Sequence, residues 1–323
     1  MSRRIAVADI GGTHVRFALA QLEDGKIPEL DEAIILRTAD HSSFNLAWEE
    51  FGRLIGARLP DALGIAFAGP VGGDTLSMTN NPWVIWPPGL EDELGIRKYS
   101  IINDAGAIAH AVPLLGSEHF DHLRGPEELL PSRGVTSIIG LGTGLGVAML
   151  LTTAEGHHVI ETESGHIDFA PLDSIEDKVL DRLRQRFGRV SVERIACGSG
   201  LANLHCALAA IEGQSAAAID DQQVWTAALD GSDPLAVAAL ERFFLTLGSV
   251  AGDVALAQGA NAVLIAGGLG HRLRHRFAAS GFADRFVAKG RFERRMQSIP
   301  VKLLNHPQPA LLGAAAAFAR EHP

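Results

Sequence analysis

Two short segments carry the residue types that bind phosphate. Asp9-Ile10-Gly11-Gly12-Thr13 and Gly140-Leu141-Gly142-Thr143-Gly144 each combine glycines with a threonine. Glycine has no Cβ to block an anion, so backbone N–H groups converge on it, and the threonine hydroxyl adds a donor. Neither segment has the lysine of a Walker A loop, so a bound polyphosphate would need Mg²⁺ for neutralisation. Asp9 stands where it could hold a water of that metal's shell. A third glycine pair, Gly267-Gly268, follows an apolar run. Each segment alone reads equally as a hairpin turn or a strand-to-helix loop. The aspartate beside the first and the repetition of the pattern favour phosphate.

Several polar residues stand out elsewhere. Asn103-Asp104 closes the apolar stretch Ile101-Ile102. A carboxylate buried there is costly unless it is paired or working; the local alternative is Asp104 as N-cap of the helix that follows. Glu163 and His166 stand at i, i+3, a spacing that ligates metal on a helix. Gly165 and its β-forming neighbours favour a loop instead. His157-His158 reads as a surface loop. Ser191 reads as an N-cap with Glu193 in the first turn, where the helix dipole favours it. Asn80, in Thr79-Asn80-Asn81 before a proline, has the composition of a turn.

The elements that must position these residues alternate. Ile5–Ala8 and Val15–Ala20 read as strands joined by the first glycine turn. A strand running into a strand excludes a Rossmann or P-loop turn, which runs into a helix. Helical spacing follows over 44–55, then buried strands at Leu63–Ala68 and Ser100–Asn103 and a helix over 105–112. The pattern restarts at Ser137-Ile138-Ile139, the second turn and Val147–Leu151, as if duplicated. Helices are expected over 174–187, 191–196, 199–212, 221–230, 234–258 and 311–320, with a buried strand at Ala262–Ala266. This α/β alternation in two strand-rich halves predicts two lobes with a cleft between them. Linkers are expected near 113–116 and 304–309.

Composition limits the partners. The 323 residues are 47% hydrophobic, and 28 Lys and Arg against 38 Asp and Glu leave a net charge of −10. An acidic chain with scattered cations suits neither nucleic acid nor an anionic membrane. Two cysteines, Cys197 and Cys206, supply neither a disulfide framework nor a four-cysteine zinc site. The apolar run after Arg3-Arg4 stops at Asp9, short of a signal sequence. The Ala-rich segments near 251–266 and 313–318 are interrupted or too short to span a bilayer. These features point to a cytoplasmic enzyme with reduced thiols.

A resemblance then covers about residues 5–320. AVADIGGTHVRFAL, LSMTNNPW, IINDAGAIAHAVP, GLGTGLGVA, ETESGHIDFAPL, VSVERI, IAGGL, GRFERRM, IPVKL and LLGAAAA occur in an order that is similar to the bacterial glucokinase family of the hexokinase/actin-type superfamily. The resemblance implies a two-lobed actin-like (ribonuclease H-like) α/β ATPase fold with its active site in the interlobe cleft. The small lobe would be 1–114 plus 305–323 and the large lobe 115–304. It implies ATP-dependent phosphorylation of the glucose 6-hydroxyl, with Mg²⁺ accompanying ATP and no direct protein ligand to the metal. Asp104 matches the family's catalytic base. Asn80, Asn103, Asp104, Glu163, His166 and Glu193 match its sugar contacts; a carboxylate accepts from two adjacent hydroxyls and an imidazole donates or accepts. Ala8, Asp9, Ile10, Gly11, Gly12, Thr13, Gly142, Thr143, Gly144, Gly267 and Gly268 match its ATP contacts, and a homodimer is implied. The chain departs from the common pattern at His14, Ala105, Ser164 and Cys197-Gly198-Ser199-Gly200, none of which removes an assigned functional side chain. The related repressor–kinase (ROK) branch carries a cysteine-rich zinc motif that two cysteines cannot make. A sugar-sensing regulator would need a DNA-binding region ahead of Ile5, and an actin-like filament or chaperone ATPase would lack the Asn103, Asp104, Glu163, His166 and Glu193 set.

Overall fold

The computed structural model describes residues 2–78, 81–214 and 220–323. They form two compact units. Unit 1 comprises 1–116, 157–161 and 306–323; unit 2 comprises 117–156 and 162–305. The division expected at 114/115 and 304/305 thus falls at 116/117 and 305/306, and the segment 157–161 groups with unit 1.

Unit 1 opens with strands β1 (Ser2–Ile10), β2 (His14–Glu23), β3 (Glu29–Leu30) and β4 (Ile34–Arg37). Helix α1 (Phe44–Ile55), β5 (Ala62–Phe67), the small antiparallel pair β6 (Leu76–Met78) and β7 (Asn81–Ile85), α2 (Leu90–Leu94), β8 (Lys98–Asn103) and α3 (Asp104–Ala111) follow. The main sheet runs β3-β2-β1-β5-β8, with β4 also on β2. Residues 5–8 and Ile10 are buried because β1 lies between β2 and β5. Helix α1 buries Phe44, Ala47, Trp48 and Phe51, the i, i+3, i+4, i+7 stripe. Ser43 caps its first turn by accepting from Leu46 N at 3.3 Å, and Gly56 ends it in the left-handed region. The Phe17 ring stacks on Phe51 with centroids 4.9 Å apart, fixing the helix to β2.

Unit 2 contains β9 (Phe120–Arg124), β10 (Gly134–Leu141), β11 (Leu145–Thr153), α4 (Ser174–Phe187), α5 (Gly200–Ile211), α6 (Asp221–Asp230), α7 (Pro234–Gln258), β13 (Ala262–Ala266), α8 (Gly268–Leu273), α9 (Phe282–Val287), α10 (Glu293–Gln297) and β14 (Val301–Leu304), while β12 (Gly156–Thr162) has only its two end residues in unit 2, its stretch 157–161 grouping with unit 1. Its sheet runs β12-β11-β10-β13-β14-β9. Helix α7 starts at Pro234, with Asp233 accepting from Leu235 N at 2.8 Å, and ends at Gly259. Among the described residues it is the one helix long and apolar enough to cross a membrane, and 67% of its apolar window is buried inside the protein. Its hydrophobicity is thereby satisfied by the core. Finally α11 (Pro309–Glu321) returns to unit 1 and packs on α3, where a Cβ on Gly313 would stand 1.7 Å from the Ala107 carbonyl oxygen.

The duplication read from the sequence is present in the pairing. Antiparallel β1–β2 is followed by parallel β1–β5, and antiparallel β10–β11 by parallel β10–β13. Three local expectations are corrected. His157 is not in a surface loop but on strand β12, with Nε2 buried. Residues 191–196 form only a single 3-10 turn, 192–194. Glu163 precedes another such turn, 164–166.

Candidate active site

In unit 1 the first glycine turn closes the β1–β2 hairpin, Gly11 N donating to His14 O at 2.9 Å. Thr38 holds the turn from behind: its Oγ1 donates to Gly12 O at 2.8 Å and its N to Thr13 O at 3.1 Å. Thr13 is exposed at the tip. Ala8 and Ile10 have fully buried side chains, and their backbones are paired on both sides, so they shape the turn from the core. Asp9 lies directly opposite Arg16 in the hairpin register, and Arg16 Nη1 donates to its Oδ2 at 3.0 Å. Burial raises the Asp9 pKa above its ordinary value, and the Arg16 guanidinium opposes that rise.

Strand β8 ends at Asn103 and α3 begins at Asp104, which corrects the capping alternative. Asn103 is the N-cap: its Oδ1 accepts from Ala105 N at 2.9 Å and from Gly106 N at 3.3 Å. Its Nδ2 donates to Gly69 O at 3.1 Å. Asp104 is the first helical residue, half-buried, with Oδ1 accepting from Ala105 N at 2.8 Å. The carboxylate therefore leaves the helix N-terminus from a turn fixed by its neighbour. Asn80 lies outside the described residues.

In unit 2 the second turn also closes a hairpin but is one residue tighter, Gly142 N donating to Gly144 O at 3.0 Å. A Cβ on Gly142 or on Gly268 would meet nothing within 4 Å. No protein atom requires glycine at these two positions, and the open space they leave suits the close approach of a ligand to backbone. The Cys197–Gly200 loop braces the turn: Gly198 N donates to Gly142 O at 2.9 Å, and Trp225 Nε1 donates to Gly198 O at 2.6 Å.

Glu163, His166 and Glu193 gather in unit 2. His166 Nε2 is 3.9 Å from Glu163 Oε2 and its Nδ1 is 4.0 Å from Glu193 Oε1. Glu163 and His166 are each over half exposed and can reach a solute. Glu193 Oε2 accepts from Leu145 N at 2.9 Å, and a Cβ on Gly144 would come within 2.6 Å of that oxygen. One carboxylate thus reaches the second glycine turn and the imidazole together. Ser191 precedes the 3-10 turn that bears Glu193 but makes no side-chain cap bond. Ser164 Oγ lies 2.9 Å from Thr162 Oγ1, which in turn donates to Val147 O, so this departure has a local partner. Among the described residues no group of three or more His, Cys, Asp or Glu is arranged to hold a metal.

Arg16, Thr38 and Trp225 were not foreseen as supports of these turns, nor was Glu161, whose Oε1 accepts from Asn103 N at 2.7 Å. Arg16 was findable, because a turn centred between Gly12 and Thr13 sets Asp9 opposite it. The others act across large sequence separations and leave no local signal.

The family model described as Glucokinase matches residues 6–321. This chain belongs to the glucokinase family. A relative named glucokinase from Zymomonas mobilis is 56% identical over 318 residues, covering 98% of both chains. Among solved structures, the family resemblance extends to a glucokinase from an Antarctic psychrotroph, with TM-score 0.81, 32% identity and coverage of 98% of this chain and 99% of that one. A ROK family glucokinase from Streptomyces griseus, solved with glucose and AMPPNP, shares the fold at TM-score 0.63 and 20% identity, covering 99% of this chain and all of that one. The expected two-lobed sugar-kinase architecture agrees with the mixed α/β units and with these neighbours.

Proposed function

We propose that this protein is an ATP-dependent glucokinase, transferring the γ-phosphoryl group of ATP to the 6-hydroxyl of glucose. The observation that carries this reading is 56% identity to a named glucokinase along 98% of both chains. The side-chain chemistry supports it. Glu163, His166 and Glu193 offer acceptors and an imidazole to the hydroxyls of an uncharged sugar, with Asn103 and Asn80 completing the set. Asp104 accepts the 6-hydroxyl proton as that oxygen attacks phosphorus. Gly11, Gly12, Thr13, Gly142, Thr143 and Gly144 present N–H and hydroxyl donors to the phosphates, and beside the packed Gly267 the open Gly268 leaves space for the adenosine. Most of the rate comes from holding the reactants in line, since the transition state is loose.

Mg²⁺ travels with ATP in this reading and supplies charge neutralisation. Asp9 fits a role at one remove: Arg16 holds its Oδ2, leaving Oδ1 for a water of the hydrated cation. The protein works in the cytoplasm as a homodimer in this proposal, which light scattering on the purified chain would check. The deciding experiment is glucose 6-phosphate formation from glucose and ATP, run beside mannose, fructose and N-acetylhexosamines. A higher kcat/KM on any of those sugars than on glucose would overturn the substrate assignment.

A further inference from the structure

One carboxylate beside the Asn103–Asp104 turn has no part in the chemistry above. Glu161, near the end of β12 and grouped with unit 1, accepts the backbone N–H of Asn103 on its Oε1 at 2.7 Å. The same side chain lies over the first turn of α3. A Cβ on Gly106 would stand 2.4 Å from Glu161 Oε1 and 2.8 Å from its Cγ. Glycine at 106 is what gives the carboxylate its place. A negative group there is favoured by the helix N-terminus, and a charged acceptor makes a strong hydrogen bond to a backbone donor. Asn103 is thus clamped at both ends. Glu161 holds its main chain, while Gly69 O, Ala105 N and Gly106 N hold its side chain. The next residue is Asp104.

We propose that Glu161 is a positioning residue for phosphoryl transfer: by fixing the Asn103 amide it aims the Asp104 carboxylate and the Asn103 side chain together. This rests on Asp104 being the base. A reacting group displaced by about 1 Å can lose about 10²-fold in rate, so a clamp on the preceding peptide matters to turnover.

Three variants of the whole enzyme test it. Glu161→Ala removes the acceptor, Glu161→Gln retains a carbonyl acceptor, and Gly106→Ala drives the carboxylate off while favouring the helix itself. We expect kcat to fall at least about tenfold in Glu161→Ala and Gly106→Ala and to stay within about threefold in Glu161→Gln. Amide exchange at Asn103 should quicken in the first two only. A fall in Tm with unchanged kcat would make Glu161 merely structural and overturn the proposal. Equal losses in Glu161→Ala and Glu161→Gln would overturn it too, because charge and not the hydrogen bond would then matter. Asp104→Asn, assayed alongside, separates the two layers. Full activity there removes the base and this proposal with it, whereas loss of activity there with unaltered Glu161→Ala turnover defeats the positioning role alone.

Discussion

At the scale of single residues, the cap at the end of β8 falls on Asn103 and not on Asp104. Since Asn103 caps α3, Asp104→Asn leaves every cap bond in place. We expect kcat to fall at least about 10²-fold, with glucose affinity by calorimetry and Tm nearly unchanged. More than a tenth of wild-type kcat in that variant would remove Asp104 from the base role. Asn103→Ala should behave differently, losing about 1 kcal/mol of stability with the cap and weakening glucose binding as well. For Glu163→Gln we expect a rise in glucose KM of roughly 10–150-fold, the worth of a hydrogen bond to a charged group; an unchanged KM would take Glu163 out of the sugar site. The sequence made these residues visible because each is a polar group at the end of an apolar run or beside a glycine. It hid Thr38, Glu161 and Trp225, whose partners lie far along the chain.

Elements were legible in proportion to their periodicity and burial. The spans 44–55, 174–187, 221–230, 234–258 and 262–266 agree with α1, α4, α6, α7 and β13, each an amphipathic or fully buried run. The strands β3, β4, β6, β7, β9, β12 and β14 were not foreseen. Some are very short, and others alternate polar and apolar residues weakly; their pairing is imposed by neighbours already in the sheet, or within the small β6–β7 pair by each other. At this scale the β10–β11 turn makes a distinctive prediction. Gly144→Ala puts a methyl group 2.6 Å from Glu193 Oε2 and must displace that carboxylate. Glucose affinity measured without nucleotide should therefore fall, although residue 144 belongs to the turn proposed to bind phosphate. Unaltered glucose binding in a folded Gly144→Ala protein, with Glu193→Ala impaired, would show that Glu193 binds sugar independently of the turn.

For the whole molecule, acid stability has an identifiable source in unit 1. His110 on α3 and His157 on β12 face each other edge to face, with ring centroids 6.0 Å apart. His110 Nδ1 and His157 Nε2 are buried without hydrogen-bond partners. Burial lowers the His110 pKa to about 4, helped by the Arg320 and His157 charges, and burial lowers that of His157 too. Between the unfolded value of 6.5 and the folded value near 4 the unfolded state binds more protons, so stability is full above pH 6.5 and falls as pH drops through this window. His110 alone accounts for up to about 3 kcal/mol of that loss. Thermal melts from pH 7 to 4.5 should show it, and His110→Phe should flatten the curve; an equally steep decline in the variant would place the acid sensitivity elsewhere.

The position of α11 has a consequence for how the chain matures. Unit 1 is built from both ends of the described chain, and α11 supplies a buried face running from Ala310 to Phe318. On the ribosome, residues 1–116 emerge first but wait through all of unit 2 for the helix that covers α3 and β5. Their apolar surface stays open during that interval, while unit 2 can condense as soon as β14 appears. A chain halted before Pro309 should thus accumulate as an aggregation-prone species that binds hydrophobic dyes, and adding a peptide of residues 309–323 during synthesis should rescue its solubility. Soluble, dye-silent truncated protein would mean that unit 1 closes without its last helix.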